Sequence, residues 1–276
     1  MTGFWLGPKA VSRGYRLMGY DSIGSTNSEA ARAALAGDVG DVWFCALQQT
    51  AGRGRRGRQW HSAPGNLAAS LIVVPHTDPA IAATLGFVAG VALNRALQQV
   101  VPAAKPKVGI DGADSPGGRI ALKWPNDVLI DGAKLAGILL EAQKRPDGGL
   151  AVVIGIGVNV VAAPKGLPYP ATSLHGLGVD ASAARMFEAL SENWVDCIEI
   201  WNNGRGIGDI LALWRSAAAG IGAEVAVSRD GDVVRGIFET IDEAGRLIVR
   251  ANDNRRIAIT AGDVHFGATA SLRIEA

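Results

Sequence analysis

Apolar and polar positions along this chain follow two rhythms that divide it near residue 220. In the first part, Thr26-Asn27-Ser28-Glu29 has the form of a helix start, with Thr26 as cap and Glu29 reaching back. The alanine-rich run 28–35 predicts a helix closed by Gly37. Residues 42–48 are β-prone and read as a strand, and 67–74 read as the next, with Pro75 stopping it. Asp78-Pro79 is a cap and first-turn pair for a helix running to about Val101. Strands are predicted over 120–124, 128–130, 135–142 and 150–161, turning at Asp131-Gly132 and Pro146-Asp147-Gly148-Gly149. Helices follow over 182–201 and 207–218. The expected architecture is α+β, a mixed β-sheet packed with helices.

Beyond Gly220 the segments shorten and alternate, with strands predicted over 224–228, 233–240, 247–250 and 256–260. Polar turns separate them, which predicts a small barrel. The division is placed at 1–220 and 221–276. The Gly-, Pro- and Asp-rich stretch 103–118 reads as a surface insertion. No fixed-period repeat is present.

Composition narrows the classes. Lys plus Arg total 27 against 26 Asp plus Glu, so there is no global attraction to nucleic acid or an anionic membrane, and any basic site is local. The N-terminus lacks an apolar signal core, and the longest uncharged runs, 79–93 and 150–164, fall short of the ~20 residues of a membrane span. The two cysteines, Cys45 and Cys197, lie in apolar stretches, which fits buried free thiols in a reducing cytoplasm.

Against this background, Gly52-Arg53-Gly54-Arg55-Arg56-Gly57-Arg58-Gln59-Trp60 stands apart. Its four arginines repel one another and its glycines provide no packing, so mobility is expected until an anion binds. Close backbone approach and guanidinium forks suit phosphate, and Trp60 offers a flat face. Three readings stay open on these residues: a solvated basic loop, a nucleic-acid segment and a nucleotide-phosphate clamp. The Gly-Lys-Ser/Thr type of phosphate loop is excluded, because no such pair follows the glycines.

Lys123-Trp124-Pro125-Asn126-Asp127-Val128 places a polar cluster at a bend fixed by Pro125. It is either an Asx-type turn or part of a site. Lys134 opens the apolar run Leu135-Ala136-Gly137-Ile138-Leu139-Leu140-Glu141, as a strand-end charge or as a ligand-facing ammonium. Gly137 there allows close approach to the backbone. Asn159, among β-branched residues, must bond either local backbone or a ligand.

Together these segments resemble the biotin protein ligase family, and they occur in that family's order: Ser25-Thr26-Asn27, Gln49 to Trp60, Lys123 to Val128, Lys134 to Leu139, Gly155 to Asn159, and Ser271-Leu272-Arg273. The resemblance spans most of the chain. It implies a class II synthetase-like catalytic domain followed by an SH3-like β domain. It also implies a two-step reaction using ATP, with magnesium assisting: biotin is activated as biotinyl-5'-AMP, then passed to a lysine of a biotin carboxyl carrier domain. Ser25, Thr26, Asn27 and Gln49 would bind the ureido ring of biotin, with Gly52, Arg53 and Gly54 contributing from the loop. Gly137 would line the biotin slot. Arg55 and Arg58 would bind phosphates and Trp60 would pack on adenine. Lys134 would bridge the biotin carboxylate and the α-phosphate. Lys123, Asn126, Asn159 and Arg273 would serve the nucleotide, and Asp127 would orient or deprotonate the incoming amine. No metal held by protein ligands alone is expected.

Family members that repress transcription carry an N-terminal helix-turn-helix. The segment before Ser25 is too short for one, so no specific DNA binding is expected. Nor is a membrane partner expected, and the family includes monomers and homodimers. Two rival functions remain. One is lipoate or octanoate transfer, which needs a long acyl channel and is not expected to carry the arginine–glycine loop. The other is a non-enzymatic nucleic-acid binder, which the balanced charge disfavours.

Overall fold

The computed structural model describes residues 3–101, 119–229 and 232–266. The insertion 103–118 and the motif Ser271-Leu272-Arg273 lie outside them.

A seven-stranded sheet forms the larger unit. Its strands are β1 (Arg16–Tyr20), β2 (Val42–Ala46), β3 (Leu67–Val73), β4 (Ile120–Lys123), β5 (Asp127–Ile130), β6 (Ala133–Lys144) and β7 (Leu150–Val158). They lie in the order β1-β2-β3-β7-β6-β5-β4. β1 and β2 are parallel and all other neighbours antiparallel, so the sheet is mixed, as the patterning predicts. β2 and β3 are buried at every position, which explains their apolar runs, broken only by Ser70.

One face is covered by α4 (Leu85–Val100) and α5 (Ala183–Trp201), with α6 (Ile207–Ser216) beside them and the short α1 (Pro8–Ser12) against α5. Trp43 on β2 is fully buried and meets Phe187 and Trp194 of α5 edge-to-face, at centroid distances of 5.4 and 6.2 Å. Burying such side chains contributes roughly 2–3 kcal/mol each. The stretch Pro79–Val100 is long and apolar enough by composition to cross a membrane, yet 67% of its most apolar window is buried in this core.

Three local expectations are corrected. The helix begun by Asp78-Pro79 is broken: α3 (Pro79–Ala82) ends in a turn, and α4 starts after Thr84, whose hydroxyl donates to the Ile81 carbonyl. The cap of α2 (Thr26–Leu35) is Ser25, whose Oγ accepts from Ser28 N, because the Thr26 hydroxyl is turned to Gln49. Glu29 pairs with Arg32 instead of reaching back. The N-terminal α1 and β1 were not foreseen.

The second unit is a five-stranded antiparallel sheet of β8 (Glu224–Arg229), β9 (Asp232–Ile241), β10 (Leu247–Arg250), β11 (Arg256–Ile259) and β12 (Asp263–Phe266), ordered β11-β10-β9-β8-β12. β12 was not anticipated. Val225, Phe238, Leu247 and Val249 belong to the same buried cluster as the helices of the larger unit. Trp124 Nε1 donates to Gly245 O at 3.0 Å and Arg215 Nε to Ile241 O at 3.0 Å, fixing the small sheet in place.

Candidate active site

The face of the large sheet away from α4 and α5 carries a trough of small residues. Cross-strand register aligns Ala68 of β3, Gly157 of β7, Gly137 of β6 and Asp127 of β5 in one row. A Cβ on Gly157 would lie 2.4 Å from the Trp60 ring, and one on Gly137 would lie 3.1 Å from it. These glycines are therefore what allow the loop's indole to lie against the sheet.

One irregularity sets the chemistry of the floor. The β5–β6 register shifts between Val128 and Leu129, so Asp127 faces Gly137 whereas Leu129 faces Lys134. Two residues of β6 are thus accommodated where one would pair, and Lys134 is brought to the face that holds Asp127. Its Nζ lies 2.7 Å from Asp127 Oδ1, 5.7 Å from the Trp60 ring centroid and 5.5 Å from that of Tyr169. The backbone of Lys134 is held as well, donating to Pro170 O and accepting from Thr172 N. An ammonium fixed this firmly is pre-organised for charge forming in its vicinity.

β4 and β5 are joined through Trp124-Pro125-Asn126, with a cis Trp124–Pro125 peptide. Asn126 Nδ2 donates to Ile138 O at 2.7 Å, and its Oδ1 accepts from Arg55 Nη1 at 2.8 Å. The Asx-type turn reading of this motif is not what the structure has: Asn126 bonds the backbone of the neighbouring β6, twelve positions on, and ties Arg55 to it.

A polar chain, buried at Thr26, Asn27 and Ser70, lies at the other end of the trough. Gln49 Oε1 accepts from Thr26 N at 2.8 Å and Thr26 Oγ1 at 3.1 Å. Ser70 Oγ, not foreseen, bonds Thr26 Oγ1 at 2.8 Å and Asn27 Oδ1 at 2.5 Å. Asn27 Nδ2 donates to Glu141 Oε2 at 2.9 Å, and Glu141 Oε1 accepts from Arg53 at 2.6 Å. Gly155 makes room for Asn27, since a Cβ there would fall 2.1 Å from its Oδ1.

The arginine–glycine loop crosses the trough as a strap. It is a loop with one short 3-10 turn at Arg55–Gly57. Gly54 N donates to Arg58 O and Trp60 N to Gly52 O. Its guanidiniums meet acceptors on three sides: Arg53 at Glu141, Arg55 at Asn126, and Arg56 and Arg58 at Asp263, 3.5 and 2.7 Å away. Burial lowers the pKa of Arg55 from its ordinary value. Burial raises that of the Asp263 carboxyl, but the Arg58, Arg56 and Arg55 charges win, and it sits below its usual range.

A cleft of about 1230 Å³ results, shared by both units. Ser25, Thr26, Asn27 and Gln49 line one end, and Asn126, Asp127, Lys134 and Gly137 the floor. Arg53, Gly54, Arg55, Arg58 and Trp60 line the roof, and Ser228, Asp232, Arg235, Asp263 and His265 the small-sheet wall. Three predicted residues stand back from it. Gly52 sits beneath Trp60, where a Cβ would fall 2.3 Å from the Trp60 carbonyl oxygen. Lys123 is 5.4 Å from the Phe266 ring centroid, and burial lowers its pKa. Asn159 donates to Thr172 O at 3.1 Å, while its Oδ1 is buried without a hydrogen-bond partner. Arg273 lies outside the described residues. Among the described residues, no group of three His, Cys, Asp or Glu is placed to hold a metal. Both cysteines are buried, and burial raises their thiols, Cys197 to about 11.

Sequence reasoning missed Ser70, Glu141, Tyr169 and Asp263 as partners of the site. Only the unbalanced charge of the loop signalled that carboxylates had to face it.

Comparison with known proteins places the chain in a family. The model of the Biotin/lipoate A/B protein ligase family matches residues 41–159, and that of the Biotin protein ligase C terminal domain matches 220–267. A biotin--[acetyl-CoA-carboxylase] ligase of Paracoccus denitrificans is 38% identical over 253 residues, covering 88% of this chain and 97% of that protein. Its counterpart in Mycobacterium tuberculosis is 36% identical over 251 residues, covering 87% and 85%. A biotin protein ligase from Aquifex aeolicus, solved in complex with biotin and ATP, superposes with a TM-score of 0.73 at 21% identity, covering 91% of this chain and 99% of that one. The chain is a ligase and belongs to the biotin protein ligase family.

Proposed function

We propose that this protein activates biotin as biotinyl-5'-adenylate at the expense of ATP and transfers it to a lysine of a biotin carboxyl carrier domain. The catalytic unit comprises residues 1–220, with 221–276 as the small accessory domain. The observation that carries the reading is the ammonium of Lys134, held on a floor of glycines beneath an arginine strap.

In the first step a biotin carboxylate oxygen attacks the α-phosphorus and pyrophosphate leaves. Two anions must come together, and Lys134, midway along the trough, stabilises the charge they concentrate. Ser25, Thr26, Asn27 and Gln49 present donors and acceptors for the ureido ring, and Gly137 lines the biotin slot. Arg53 and its glycine neighbours close the roof at that end. Arg55, steadied by Asn126, and Arg58 bind phosphate oxygens, with Lys123 and Arg273 adding positive charge and Trp60 packing on adenine.

In the second step the acceptor amine attacks the acyl carbon, the C–O bond to phosphate breaks and AMP departs. Asp127 orients the amine or takes its proton. Covering the trough excludes water from the anhydride. Magnesium, when bound with the nucleotide, neutralises phosphate charge. The Asn126 oxygen accepts from Arg55, so of the two asparagines only the partnerless Asn159 Oδ1, set back from the cleft, would be free to serve such a hard cation or its water.

The test is incubation with ATP, magnesium, biotin and a biotin-accepting domain, followed by mass measurement. An ATP-dependent gain of one biotinyl group on the acceptor is expected. No gain, or a gain with lipoate in place of biotin, overturns the reading.

A further inference from the structure

We infer that Asp263, the first residue of β12, is a positioning residue for the phosphate end of the arginine loop and acts through Arg58 and Arg56. The inference rests on the reading of that loop as the nucleotide clamp. Four guanidiniums within six residues repel one another, and the intervening glycines provide no packing to oppose this. Glu141 answers Arg53 at the biotin end, from the sheet itself. At the other end Arg58 Nη2 and Arg56 Nη1 meet Asp263 Oδ2 at 2.7 and 3.5 Å. Arg56 also has φ 54°, a conformation a non-glycine residue keeps only when its surroundings hold it.

The platform suits the task. Asp263 is paired through the backbone with Ser228 of β8, and the small sheet is fixed to the larger unit by the Trp124–Gly245 and Arg215–Ile241 hydrogen bonds. A carboxylate presented from so fixed a body defines where the guanidiniums stand before phosphate arrives, which lowers the ordering cost of binding. The second domain thereby takes part in a site whose chemistry lies on the first.

The test uses the full chain in three forms: unaltered, Asp263→Asn and Asp263→Glu. Amide hydrogen exchange across residues 53–60 is measured without nucleotide, and KM for ATP, kcat and biotin affinity are measured with it. In Asp263→Asn, exchange over 54–58 is expected to quicken and KM for ATP to rise about fivefold, the scale of a partly exposed ion pair. Biotin affinity and kcat should move less than twofold, and Asp263→Glu should restore both affected readings. Unchanged exchange overturns the inference, as does faster exchange with an unaltered ATP KM. A lowered KM also overturns it and makes Asp263 a competitor of phosphate. Failure of the clamp reading is distinct, because the unaltered protein would then show no biotin-dependent ATP chemistry.

Discussion

The floor of the cleft and its roof are built by opposite means. Lys134, Gly137, Gly155 and Gly157 lie on β6 and β7, whose backbones are paired with neighbours on both sides. The roof, from Gly52 to Trp60, has few backbone bonds of its own and is placed by side chains reaching Glu141, Asn126 and Asp263. A group that must meet a transition state gains from the rigid setting. Groups that must let two substrates in gain from ties that can be released. In the proposed reaction the floor is therefore the seat of chemistry and the roof the seat of capture.

The contrast can be broken most forcefully at Lys134. Lys134→Ala is expected to slow biotinyl-adenylate formation about 100-fold or more, on the scale of losing one pre-organised charge-stabilising group, while biotin affinity changes little. Rapid-quench kinetics beside calorimetric biotin titration measure both, and equal losses would remove the assigned role.

Next in size is Gly157→Val. The added carbons meet the Trp60 ring, already 2.4 Å from a Cβ at that position. Displacing the indole proposed to pack on adenine, at an overpacking cost of about 2 kcal/mol, corresponds to roughly 30-fold weaker ATP binding. Unaltered affinity would show that the indole does not need the trough.

Trp124→Phe removes the 3.0 Å bond to the Gly245 carbonyl and should cost about 1 kcal/mol of stability in a denaturant titration. An unchanged midpoint would mean that this bond does not secure the small sheet.

The smallest effect concerns pH. Asp263 titrates below its ordinary 3.8 because the guanidiniums outweigh the opposing effect of burial. Its contribution to stability is thus complete above the unfolded value and is lost as pH falls through the lower folded one. A carboxyl titration of Asp263 by NMR with a midpoint at or above 3.8 would contradict the pairing.

How far the site could be read in advance follows the same division. The floor was legible because its signals are local: a lysine opening an apolar strand, glycines within β-branched runs, a proline-fixed bend. The bulge that turns Lys134 towards Asp127 was not, since it depends on register between strands. The loop's composition showed that it needs anionic partners, but Arg58 and Asp263 stand 205 positions apart and nothing local links them. Ser25 and Thr26 show a finer limit: either hydroxyl could cap α2, and only the position of Gln49, brought in by β2, decides between them.

The most direct test sets floor against roof in single-turnover adenylate formation by Lys134→Ala and Arg55→Ala, each over a wide range of ATP at saturating biotin. The Arg55→Ala defect should shrink as ATP rises, whereas that of Lys134→Ala should persist at every concentration. If both defects vanish at high ATP, or both remain undiminished, the assignment of chemistry to the one and capture to the other is wrong.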